Sequence, residues 1–211
     1  MKLVALALLL LTGCADARPM YERVEGATLR IESGDQNCSA TAVGRYTILT
    51  ARHCFDDKPD VILVNGKQCP VWQVVEDGAD HALLTLGHEC LQRVRAKVSA
   101  NALKPGTQIF LWGNPSFLTA QLRIGMVSGY GAFPAPVRRL LVLGGLPAFA
   151  NEFAWVDVES THGDSGAAVF NYAGEIVGVV SAGCEPITSP FNLMGMLPLR
   201  FTRKQWREAT A

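Results

Sequence analysis

From Ala27 onward the chain is a succession of short runs in which apolar residues alternate with polar ones or cluster: "ATLRIE", "SATAVG", "YTILTA", "DVILVNG", "CPVWQVV" and "HALLTLG". Each run is bounded by Gly, Asn, Asp or Pro. A period of two residues closed by turn formers is the signature of short β-strands in a barrel or sandwich. A second set follows: "TQIFLWG", "LTAQLRIGMVSG", "RRLLVLGG", "FAWVDVE", "SGAAVFN", "EIVGVVSAG" and "NLMGMLPLRF". Only "RKQWREAT", near the end, reads as a helix. Between the sets, "NALKPGTQ" has the turn residues and polarity of a connection. The pattern therefore predicts an all-β chain of two small domains, residues 14–104 and 105–211, with the boundary near Lys104. The stretch from Tyr130 to Phe153 holds no acidic residue until Glu152. It is read as two buried strands around Gly144-Gly145, with a substrate-facing or membrane-facing loop as the other reading.

The first residues follow a different rule. "MKLVALALLLLTGC" carries one positive charge at Lys2, stays apolar from Leu3 to Leu11, and ends in Thr12, Gly13 and Cys14. An apolar stretch this short behind a basic residue is a secretory signal, residues 1–13, rather than a membrane span. The last four residues, Leu11-Thr12-Gly13-Cys14, resemble the bacterial lipobox, in which the chain is cut before a cysteine whose sulfur carries diacylglycerol. That resemblance implies lipidation of Cys14 and a stable membrane anchor, the other readings of the segment being an ordinary signal or a buried apolar N-terminus. By resemblance to enterobacterial sorting rules, the absence of an aspartate at Ala15 permits export to the outer membrane, so the expected location is its periplasmic face.

Composition narrows the partners. Lys plus Arg and Asp plus Glu are equal at 19 each, so no net field recruits nucleic acid or an acidic surface. The hydrophobic fraction of 49% is that of a globular protein. Export places Cys38, Cys54, Cys69, Cys90 and Cys184 in an oxidising compartment, where an odd number leaves one thiol over. Cys38 and Cys54 flank two strand-like runs with a turn at Gly44-Arg45, so a hairpin would bring them together. Cys69 and Cys90 bracket a second pair of runs. Spacing alone leaves other pairings open.

Two motifs carry chemistry. In "ILTARHCF" an apolar run ends at Arg52, His53 and Cys54. In "THGDSGAAVF" Ser165 lies between glycines at a turn before a strand. Glycine leaves amide N–H groups unobstructed, which suits a pocket for a developing oxyanion. A serine nucleophile needs a base, and the base needs a carboxylate to hold its tautomer. His53 supplies the base. Asp80 in "DGADHALLTL" directly precedes an apolar run and is the first candidate for a buried carboxylate; Asp77, nearer the turn, is the second.

The order His53, Asp80, Ser165, with "TARHC" and "GDSG" around the outer two, resembles the chymotrypsin-like serine proteases over most of the chain after the signal. "IGMVSG" and "VDVESTHGDSG" are similar to the periplasmic heat-shock branch of that superfamily. The resemblance implies two antiparallel six-stranded β-barrels with a short C-terminal helix, a Ser-His-Asp triad, and no metal or organic cofactor. It implies that Cys38 and Cys54, 16 residues apart, close the loop under the histidine. It gives the backbone amides of Gly163 and Ser165 to the oxyanion. Ser181 falls where the family supports the His–Asp pair, and Gly183 on the wall of the primary specificity pocket. Glu159, six residues before Ser165, stands where an acid selects basic side chains.

Departures from the pattern bear on activity. In trypsin a new N-terminal amine pairs with the aspartate before the serine, here Asp164. Val24, after Arg23, lies too near the first strand to serve, so Asp164 needs another partner, Arg123 or His162. Thr161 replaces a cysteine that would bridge to Cys184, which makes Cys184 the odd thiol. The expected function is a lipid-anchored serine endopeptidase acting on protein or peptide substrates. The competing readings are a catalytically silent binding lipoprotein of the same fold and an esterase using the same triad.

Overall fold

A computed structural model of the chain describes residues 20–55, 57–91, 94–101, 103–115, 118–132, 153–184 and 193–210. The predicted pair of strands around Gly144-Gly145 lies outside these residues. The first sheet is a closed barrel of six strands: β1 (Thr28–Ser33), β2 (Gln36–Ala42), β3 (Thr47–Ala51), β4 (Val61–Val64), β5 (Lys67–Glu76) and β6 (His81–Leu86), in the order β1-β2-β3-β6-β5-β4. Alternation explains the closure. Leu29 and Ile31 of β1, Ile62 and Val64 of β4, and Cys69 and Val71 of β5 point inward, while their neighbours meet solvent. Disulfides join Cys38 to Cys54 and Cys69 to Cys90.

The second sheet takes β7 (Lys97–Val98), β8 (Gln108–Gly113), β9 (Gln121–Gly131), β10 (Phe153–Val156), β11 (Ala168–Phe170), β12 (Glu175–Cys184) and β13 (Leu193–Leu197). Its order is β11-β8-β9-β10-β13-β12-β7, and an added β11–β12 pairing brings six strands round on themselves. β7 remains a parallel appendage on β12. Ile109, Leu111, Val127, Val156 and Val169 fill the interior. The architecture is the predicted all-β one of chymotrypsin type, with the C-terminal helix, here α2 (Arg203–Thr210).

One element departs from the sequence reading. Met20–Ala27 form a helix, α1, where no helix is expected. It buries Val24 and Ala27 in a third apolar cluster that also takes Leu49 and Leu83 from the first barrel, Phe110, Trp112 and Phe170 from the second, and Ala209 of α2. β6 shows how that layer is built. Ala82, Leu84 and Leu86 face the first barrel's interior, and Leu83, on the other face, enters the inter-barrel cluster.

Candidate active site

Three segments meet between the barrels. β3 runs out at Ala51 into a single 3-10 turn, Arg52–Cys54, which turns the His53 side chain out of the sheet. The β5–β6 loop delivers Asp80 beside it. Asp80 Oδ2 lies 2.7 Å from His53 Nδ1, and Asp80 Oδ1 accepts the His53 backbone N–H at 3.1 Å. The Asp80 side chain is 2% exposed and that of His53 35% exposed, so the acid is enclosed while the imidazole keeps an open edge. A carboxylate against Nδ1 fixes that nitrogen as the donor and leaves Nε2 as the acceptor of a neutral ring. Asp77, the second candidate acid, bonds a different histidine, His81.

Ser165 sits on the turn before β11. The Ser165 carbonyl accepts the Ser39 N–H at 2.8 Å and lies 3.6 Å from the disulfide sulfur of Cys54, the residue after His53. The bond between Cys38 and Cys54 thus closes the floor on which both His53 and the serine turn rest. Gly163 and Gly166 take φ of 97° and 80°. At Gly166 any Cβ would also run into the Ser39 carbonyl and Thr50 Oγ1, so this turn accepts no side chain. Among the described residues the backbone N–H groups of Gly163 and Ser165 donate to no protein acceptor. An oxyanion pocket needs backbone amides that no protein acceptor has already engaged.

Sequence reasoning missed two residues that hold this turn. Ser39 Oγ donates to the Gly163 carbonyl at 2.8 Å and accepts the Asn114 N–H at 3.0 Å, and Asn114 Nδ2 donates to the Leu29 carbonyl at 3.2 Å. Both side chains are buried, and together they sew β2 of one barrel to the serine turn of the other. The usable signal is that Ser39 follows Cys38, so a disulfide to Cys54 carries it to the same place.

Asp164 is fully buried and makes a two-pronged ion pair with Arg123 of β9, Arg123 Nη1 lying 2.7 Å from Asp164 Oδ2 and Nη2 meeting Oδ1. The Thr161 N–H adds a bond to Oδ2 at 2.9 Å, and Arg123 Nη1 also donates to the Glu159 carbonyl at 2.8 Å. Gly113 makes room, since a Cβ there would strike Asp164 Oδ1. Of the two partners left open by the sequence, Arg123 is the one that answers Asp164. A planar guanidinium against a carboxylate is the strongest neutralisation a side chain offers.

The specificity residues are less converged. Glu159 is solvent-exposed, with its carbonyl engaged by Arg123. Gly183 pairs with Met194 in the β12–β13 ladder. Ser181, expected to support the His–Asp pair, is buried at a register shift in that ladder, and its hydroxyl donates to the Val179 carbonyl at 3.4 Å. Among the described residues no group of three or more His, Cys, Asp or Glu side chains is arranged to hold a metal ion.

The trypsin-like peptidase domain model matches residues 38–179, and the chain belongs to that family. Among curated proteins no sequence match was found. Solved structures of proteases share the fold at low identity. The active form of the Rv3671c protease from M. tuberculosis superposes with a TM-score of 0.70 at 14% identity over 92% of this chain and 85% of that one. The HtrA-type protease AlgW with tripeptide gives 0.66 at 20% identity over 85% of this chain and 58% of its own length. The serine endoprotease from Yersinia pestis gives 0.63 at 17% identity over 90% and 65%.

Proposed function

We propose that the protein is an exported, lipid-anchored serine endopeptidase in which Ser165 attacks the peptide carbonyl. The observation that carries this reading is the enclosed Asp80 carboxylate, 2.7 Å from His53 Nδ1, beside a serine turn in which, among the described residues, the Gly163 and Ser165 amides engage no protein acceptor. His53 Nε2 takes the Ser165 proton during attack and returns one to the leaving amine. Asp80 holds the ring and stabilises the imidazolium that forms. The amides of Gly163 and Ser165 receive the oxyanion, and water then hydrolyses the acyl-enzyme. Cys14 carries the lipid that keeps the enzyme at the cell envelope.

The silent-lipoprotein reading rests on an Asp164 without a partner. The Arg123 pair supplies that partner without any cleavage of the chain, which favours turnover. A fluorophosphonate probe tests the reading on the purified chain beginning at Ala15. Labelling of the parent protein, lost in Ser165→Ala and His53→Ala, is expected. A folded parent that never labels sinks the hydrolase reading, and cleavage of esters without peptides redirects it to an esterase.

A further inference from the structure

Asp80 is flanked by a second acid–imidazole couple that takes no part in the proposed reaction. Asp77 Oδ2 lies 2.7 Å from His81 Nδ1, and both side chains are fully buried. The same Oδ2 accepts the Arg200 N–H at 2.8 Å, and Asp77 Oδ1 accepts the Ala79 N–H at 2.8 Å. His81 Nε2 is buried without a hydrogen-bond partner among the described residues. A core position that needed only volume would carry an apolar side chain; this ring is retained with one nitrogen unsatisfied, so its other nitrogen is the useful one.

What that nitrogen secures is the loop bearing Asp80. Among the described residues, the hydrogen bonds to the Asp80 carboxylate come from His53, the group it must orient. Its place therefore depends on the backbone, where the Arg52 N–H donates to the Asp80 carbonyl at 3.0 Å and His81 pairs with Ala51 at the start of β6. The Asp77 side chain spans this turn from its first residue to its last, and reaches across to the segment before α2. Gln205 of α2 adds a second grip, donating to the Glu76 carbonyl at 3.0 Å.

We propose that Asp77 and His81 form a positioning pair for Asp80, which locks the catalytic acid's loop to the C-terminal segment through the Arg200 amide. The inference rests on the triad reading above. The pair touches no substrate; it acts by holding Asp80 against His53, and misplacing a catalytic group by an ångström costs up to about a hundredfold in rate.

The test uses His81→Phe, which fills the space without the donor, the isosteric Asp77→Asn, and His81→Asn, whose amide nitrogen overlays Nδ1. With active sites titrated well below the unfolding temperature, kcat is expected to fall on the order of tenfold in the first two with KM little changed. His81→Asn is expected to recover most of that loss. The second readout is the far-downfield Nδ1 proton of His53 by NMR, which should shift or broaden in His81→Phe. A lower unfolding temperature with kcat and the His53 proton both unchanged overturns the proposal in favour of a merely structural pair. If His81→Phe does not fold, Asp77→Asn carries both readouts, and each is interpreted in the same way. If the parent protein neither turns over nor labels, the triad reading fails by itself, and the NMR readout still decides the positioning.

Discussion

Arg123 is the residue on which the competence of the serine turn depends. Its guanidinium neutralises a carboxylate that has no solvent contact, and the Asp164 backbone lies between the two amides proposed for the oxyanion. Removing one member of a buried pair leaves an uncompensated charge, at a cost of about 3–5 kcal/mol. Arg123→Gln is therefore expected to lower the unfolding temperature by several degrees and to slow fluorophosphonate labelling by at least an order of magnitude, as the turn rearranges to rehydrate Asp164. Arg123→Lys restores charge without the fork and should recover only part of the rate. Labelling at the parental rate in Arg123→Gln would mean that the turn is held by Ser39 and Asn114 alone. Arg123 is legible in the sequence as one of two partners because Asp164 precedes the serine; choosing between them requires knowing that Gly113 leaves the space.

At the scale of elements, the β5–β6 loop is fastened to the C-terminal segment by an ionised group, and this gives stability an acid limb. Burial opposes ionisation of Asp77, but the His81 hydrogen bond and charge, with the Arg200 and Ala79 amides, outweigh it and hold the carboxyl below its usual value. Because the folded value is the lower one, the unfolded chain binds the extra proton. Asp77 thus contributes stability that is present above the unfolded value, about 3.9, and is lost as pH falls through the folded value. Urea unfolding followed downward from pH 5 should show the midpoint falling more steeply in the parent than in Asp77→Asn. Parallel slopes would show that Asp77 does not couple protons to folding. Strands are the elements that sequence made legible, since burial on one face writes a two-residue period into β1 and β5. α1 escaped because only Val24 and Ala27 of its eight residues are buried, too few to display a helical period, and its stability comes from the layer between the barrels. The contacts of Ser39 with Gly163 and of Asp77 with Arg200 join residues far apart in sequence, and no local period encodes such proximity.

For the whole molecule the proposed function turns on where it works. Among the described residues no helix is long and apolar enough to cross a membrane. In the proposed function the attachment is the lipid at Cys14. Two acyl chains on one cysteine bury enough methylene groups for stable anchoring, where a single chain gives only marginal binding. Such an anchor would lie close to the folded part. The six residue-to-residue steps from Cys14 to Met20, if fully extended, would reach about 20 Å, and Met20 opens the helix wedged between the barrels. Expressed in a bacterial host, the parent chain should sediment with membranes, resist extraction by high salt, dissolve in detergent, and incorporate an alkyne-tagged fatty acid. Cys14→Ser should abolish the tag and remain in the membrane fraction only as uncleaved precursor, whereas replacing residues 1–14 by a cleavable signal without cysteine should release soluble protein. The released form should label with fluorophosphonate at the rate of the anchored one, because α1 and both barrels are intact in each. Release with full labelling separates address from chemistry. A parent chain that is soluble and untagged would remove the lipid from the proposed function and leave the serine hydrolase reading standing on His53, Asp80 and Ser165.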